Sequence, residues 1–111
     1  MTEQQIQKQI ITSIEQDYSG YVVNVNKASK AGVSDLIACI EGRFISLEIK
    51  KPGKESTLSA LQIHNLNLAS EAGGVAAMIT SVEQLHILLL SHGIKQNHKE
   101  DPFRPIEEYE V

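Results

Sequence analysis

The chain is poor in the residues that mark several large classes of protein. It has one cysteine, no tryptophan, three prolines and no apolar run approaching a membrane span in its 111 residues. A bilayer-crossing helix needs about 20 consecutive apolar residues, so no transmembrane segment is expected. One thiol, Cys39, cannot staple a secreted fold, and it lies in an apolar stretch. The expectation is an intracellular, cytoplasmic chain with a reduced, buried thiol. Met1-Thr2-Glu3-Gln4-Gln5 has neither a basic n-region nor an apolar h-region, so it does not read as a signal peptide. Aromatic residues make up only 5%, which argues against a platform for stacking single strands. There is no G-x-x-x-x-G-K-[ST] phosphate loop, and Gly73-Gly74 reads as a helix stop. His64, His86, His92 and His98 share no metal-ligand spacing; His86 and His92 lie six apart on one helix and would not converge.

Positive charge is also lacking overall, with a net charge of -4. Its distribution tempers that deficit. Residues 27–54 carry six basic side chains (Lys27, Lys30, Arg43, Lys50, Lys51, Lys54) against three acids (Asp35, Glu41, Glu48). The last twelve residues carry five acids (Glu100, Asp101, Glu107, Glu108, Glu110) against Arg104. A locally positive middle can guide a polyanion even when net charge is negative. A merely solvated polar surface explains the same counts. With 41% apolar residues the chain can bury a modest core in a single domain.

The periodicities predict α-β-β-β-α-β-α. Residues 3–17 carry Ile6, Ile10 and Ile14 at helical spacing, with Thr2 as N-cap and Ser19-Gly20 as the stop. Residues 21–26, 35–40, 43–50 and 75–80 read as strands, and 58–72 as a helix. Ser81 caps a last helix with Val82, Leu85, Leu88 and Leu89 as its apolar stripe, ended by Gly93. Residues 1–94 form the expected domain. From Lys95 to the end the chain is polar and reads as a loosely attached acidic tail. Three consecutive strands suggest an antiparallel meander, and the helix before the fourth suggests a parallel crossover. The expected fold is thus mixed α/β (α+β), a four-stranded mixed sheet flanked by helices.

Charge interrupts two of these strands at Asp35, Glu48 and Lys50. Along 43–50, Arg43, Ile45, Leu47 and Ile49 face one way, and Phe44, Ser46, Glu48 and Lys50 the other. Read as a two-residue hairpin loop, Glu41-Gly42 sets the register. It pairs Ile40 with Arg43, Cys39 with Phe44 and Ile37 with Ser46, and by extension Asp35 with Glu48. Two carboxylates about 5 Å apart on one face repel unless a cation lies between them. A hard divalent ion with oxygen ligands fits, and Mg²⁺ is the usual choice when a phosphate shares its shell. Lys50, one strand step on, could orient or deprotonate a water or neutralise charge on a phosphate. The competing reading makes Asp35 a strand-start residue and Glu48 and Lys50 a solvent-facing pair.

At these residues the chain resembles the PD-(D/E)xK nuclease superfamily, and within it the short stand-alone VRR-NUC domains. The resemblance rests on Lys30-Ala31-Gly32-Val33-Ser34-Asp35-Leu36-Ile37, Gly42-Arg43-Phe44 and Leu47-Glu48-Ile49-Lys50-Lys51-Pro52-Gly53. It continues through Leu58-Ser59-Ala60-Leu61-Gln62 and ends at Gly73-Gly74-Val75, covering about residues 3–90. Ser34 stands where the family usually has proline. The resemblance implies a restriction-endonuclease-like αβββαβ core and an intracellular bacterial or phage setting. It implies Asp35, Glu48 and the Ile49 carbonyl as ligands to Mg²⁺, with Mn²⁺ as a substitute, and Lys50 as the catalytic lysine. Glu3 matches a first-helix acid that completes the metal shell, though a first-turn acid complementing the helix dipole reads as well. Gln62 matches a glutamine that leans over the site, though Ser59-x-x-Gln62 is also a capping box. Stand-alone relatives resemble Holliday-junction resolvases, which implies a homodimer acting on branched DNA. A structure-specific endonuclease is therefore the first expectation. A non-catalytic nucleic-acid-binding module that keeps the fold is the alternative, and an interaction domain with incidental surface charge is a third.

Overall fold

The computed structural model describes residues 1–25 and 28–97. Lys27 and the tail from His98 onward, with all five of its acids, lie outside the described residues. The element order is α1 (Glu3–Tyr18), β1 (Tyr21–Asn24), β2 (Leu36–Ile40), β3 (Arg43–Ile49), α2 (Ala60–Glu71), β4 (Val75–Ile79) and α3 (Val82–Ser91). This is the expected α-β-β-β-α-β-α succession. The sheet order is β1-β2-β3-β4. The first three strands pair antiparallel, and β4 joins β3 in parallel.

Local chemistry explains the element ends. Thr2 caps α1 in a full capping box, its hydroxyl accepting from Gln5 N–H and its own N–H donating to the Gln5 side chain. The helix at 58–72 begins only at Ala60, because Ser59 is extended and acts as its N-cap. Residues Glu55–Thr57 before it form a single 3-10 turn. β1 stops at Asn24 and β2 starts at Leu36, so both are shorter than the apolar patterning suggested. At the β2–β3 turn both Glu41 (φ 51°) and Gly42 (φ 77°) are left-handed. Two positive φ values are the mark of a type I′ hairpin, whose twist matches that of the flanking strands.

The core lies on one face of the sheet. Leu36, Ala38, Ile40, Ile45, Leu47, Ile49, Val75 and Ile79 pack there against Ile6, Ile10 and Ile14 of α1 and Leu85 and Leu89 of α3. Tyr18 and His86 tie α1 to α3 through a 2.6 Å hydrogen bond between the phenol and Nδ1. Burial pushes the Tyr18 phenol up to about 12. α2 lies on the opposite face, beside β3 and β4. No helix among the described residues is long and apolar enough to cross a membrane.

One expectation is corrected. Cys39 is exposed, not buried. It faces away from the core, and α2 covers β3 and β4 rather than β2. Within the described residues, the segment after α3 is tied to the end of α1. Ile94 is buried, and Asn97 donates its backbone N–H to Asp17 O at 2.7 Å and its amide to Gln16 O and Ser19 Oγ.

Candidate metal centre

The hairpin register is the one expected from the Glu41-Gly42 turn. Ile40 opposes Arg43, Cys39 opposes Phe44, Ile37 opposes Ser46, and the ladder runs on to Leu36 with Leu47. Asp35 is the next residue outward, but it lies in a bend just before β2 and is not itself a ladder residue. Its backbone carbonyl accepts from Val25 N–H at 2.8 Å. Its side chain crosses to β3, where Oδ2 accepts from Ile49 N–H at 2.9 Å. The carboxylate is thus held by the backbone of the residue that follows Glu48.

Glu48 is the most unusual residue of the chain. It lies in the middle of the sheet, opposite Met78 of β4, and is only 3% exposed. Its Oε1 accepts from Gln62 Nε2 at 2.9 Å. Its Oε2 is buried with no hydrogen-bond partner. Burial pushes this carboxyl from 4.5 up to about 8, and the Asp35 charge pushes the same way. The Lys50 ammonium opposes them. At neutral pH Glu48 therefore keeps its proton in the absence of a cation.

Gln62 both closes its capping box and reaches Glu48. Its backbone N–H donates to Ser59 Oγ at 3.1 Å and its Oε1 accepts from Ser59 N–H at 2.8 Å, closing the capping box. The same side chain has an Nε2 left over, and this donates to Glu48. The cap orients the amide so that its donor end faces the carboxylate. Lys50 follows the end of β3 and is half-buried, with its N–H donating to Ile79 O at 3.1 Å. Its influence on Glu48 places the ammonium in the field of the pair. Glu3 does not join the pair directly. It and Asp35 line a shared cavity of about 800 Å³ between the start of α1 and the end of β1.

Among the described residues no three His, Cys, Asp or Glu side chains gather closely enough to hold a metal ion by themselves. The donor set is therefore two carboxylates, with the Ile49 carbonyl and water as the further oxygens available. The orphaned Oε2 of Glu48 fits a cation. A buried carboxylate oxygen without a partner is costly, and a hard divalent ion would supply what it lacks.

Sequence reading missed one contact at the site. Ser46 Oγ donates to Ser34 Oγ at 2.8 Å, and both serines are buried. The pair fastens the residue before Asp35 to the strand that carries Glu48. Ser46 was already on the Glu48 face by alternation, but its reach to Ser34 needs the bend at Asp35. No protein-family model, curated protein or solved structure matches this chain.

Proposed function

We propose that the protein is a Mg²⁺-dependent endonuclease that hydrolyses phosphodiester bonds in branched DNA, such as flaps and four-way junctions, as a cytoplasmic homodimer. The observation that carries this reading is the buried Glu48 carboxyl held against Asp35, with Oε2 unpartnered. An acid buried beside a second acid destabilises a fold, so the arrangement makes physical sense as a cation site. Lys30, Lys50, Lys51 and Lys54 lie in the segments that lead into β2 and out of β3, the strand ends that carry the two acids. Basic side chains there suit a polyanionic substrate.

Asp35, Glu48 and the Ile49 carbonyl would hold the ion. Bound there, Mg²⁺ supplies Lewis-acid polarisation of a phosphoryl oxygen and offsets charge on the leaving oxygen. Gln62 keeps the Glu48 carboxylate from rotating away, since its own amide is fixed by Ser59. Lys50 carries the proton donors that orient an attacking water or neutralise charge developing on the phosphate. Glu3 lines the same cavity as Asp35 and would act through water.

The test is a cleavage panel of duplex, flap, fork and four-way junction DNA in Mg²⁺. Nicking of the branched substrates is expected, abolished in Glu48→Ala and in Lys50→Ala. Undiminished cutting by a folded Lys50→Ala variant overturns the assigned chemistry. Salt-dependent binding without any cutting would instead make the chain a binding module.

A further inference from the structure

The cavity beside Asp35 has a lining that the proposed metal chemistry leaves unused. Its volume is about 800 Å³, within the roughly 300–1,000 Å³ of pockets that take small organic ligands. Successive turns of α1 supply one wall, because residues three and four apart share a helix flank. Gln4, Gln7 and Lys8 lie there, beside the row of Ile6, Ile10 and Ile14 that goes to the core. The end of β1 supplies the other wall, with Asn24 and Val25. Val25 N–H donates to Asp35 O at 2.8 Å, which brings this end of β1 against the candidate metal centre. Asn24 Nδ2 donates to Gln7 Oε1 at 3.4 Å, a long bond that ties the two walls together. It leaves Gln7 Nε2 as a donor and Asn24 Oδ1 as an acceptor on adjoining side chains. Ile11 and Val25 add apolar surface, and Lys8 adds a cation.

We propose that this cavity receives one unpaired nucleobase of the DNA, from a nucleotide next to the scissile phosphate. A base edge is a row of donors and acceptors, and a carboxamide meets it with one of each. Adenine N7 accepts and its N6 amine donates, which suits Gln7 Nε2 and Asn24 Oδ1. Gln4 adds a further carboxamide, and the faces of the base find Ile11 and Val25. Lys8 offers an ammonium to the phosphate of the same strand. Asp35 borders the cavity, so a base held there belongs to a nucleotide adjoining a phosphate at the metal centre. In intact duplex the edges and faces of a base are taken up by pairing and stacking. It must leave the stack to enter a pocket in the protein, and the cost is least for a base already unpaired. Flaps and junctions supply such bases. The cavity thus favours branched over intact DNA without any contact to the branch itself. This assignment rests on the nuclease reading for what lies at Asp35, whereas binding of the base does not depend on cleavage.

The carboxamides are their own reporters. The full chain, without metal, is titrated with dAMP while the side-chain NH₂ signals are followed by NMR. Deoxyribose 5-phosphate is the control that keeps the phosphate and drops the base. The expected result is saturable shifts at Gln4, Gln7 and Asn24 with dAMP, at an affinity about tenfold or more above that of the control. Gln7→Ala and Asn24→Ala, neither at a buried position, should each weaken dAMP binding about fivefold or more. Circular dichroism melts would show that they fold. No saturable shift at tens of millimolar dAMP overturns the proposal. So do equal affinities with and without the base, or dAMP binding that both variants retain in full. A second arm makes flap DNA abasic at one nucleotide at a time around the cut, in Mg²⁺. One position should lower kcat/KM about tenfold for the wild type and have little effect in Gln7→Ala. Binding of dAMP with no cleavage of any substrate supports the pocket and tells against the nuclease reading. Cleavage indifferent to every abasic position overturns the pocket and leaves that reading standing.

Discussion

Replacing the buried acid with its neutral isostere, Glu48→Gln, isolates the energetics of the site. In the folded chain burial and Asp35 hold the Glu48 carboxyl near 8 rather than 4.5. Below pH 4.5 the group is protonated in both folded and unfolded chains, and its environment costs nothing. Between 4.5 and about 8 the folded chain keeps a proton that the unfolded chain has released. Stability therefore falls as pH rises through that window, by about 1.4 kcal/mol per pH unit, and levels off above it. At pH 7 the accumulated loss is about 3 kcal/mol. Glutamine removes the titration while keeping an oxygen for Gln62 Nε2 and offering Asp35 an N–H donor. The assay is urea unfolding of wild type and Glu48→Gln from pH 4 to 9 without divalent metal. The difference between the two curves cancels the titrating groups that do not interact with Glu48. The variant should become progressively the more stable, by a few kcal/mol at pH 7 to 8, with the curves converging toward pH 4. Parallel curves across the whole range would refute the claim that Glu48 is a strained, protonated acid.

Other perturbations separate positioning from stability. Gln62→Leu should weaken Mn²⁺ binding about 10–100-fold by freeing the Glu48 carboxylate. Ser59→Ala should cost about 1 kcal/mol of stability in a thermal melt yet leave that affinity within a few-fold. Ser46→Ala leaves the Ser34 hydroxyl buried without its partner and should cost about 1–3 kcal/mol in urea unfolding. Glu41→Asn replaces a residue at φ 51° with one that tolerates the left-handed region. It should raise stability by about 0.5–1 kcal/mol in the same measurement.

The parts of the site legible in the sequence were those governed by short-range rules. A two-residue turn with glycine dictates strand register, so Leu36 had to meet Leu47 and Asp35 had to end beside Glu48. Alternation placed Glu48 and Ser46 on one face, and a capping box put Gln62 at the start of α2. What stayed hidden depends on how elements stack. Nothing in the apolar pattern of β2 says that α2 would stop short of it, so Cys39 read as buried although it is exposed. The pairing of Tyr18 with His86 joins residues 68 positions apart, through the meeting of α1 and α3. Spacing alone poses cap and site contact as alternatives for Gln62, whereas its two polar side-chain atoms make one contact each. Asp35 leaves the ladder at a bend that alternation alone does not foresee, and that bend sends Oδ2 to Ile49 N–H.

The central claim is that Asp35 and Glu48 form a divalent-metal site. Calorimetric titration of the chain with Mn²⁺ near pH 8, repeated in buffers of different ionisation enthalpy, tests it most directly. The account predicts one ion per chain, proton release on binding, affinity that weakens as pH falls toward 6, and loss of binding in both Asp35→Asn and Glu48→Gln. No uptake of Mn²⁺ by the wild-type chain at millimolar metal, or uptake that both variants retain, would contradict it.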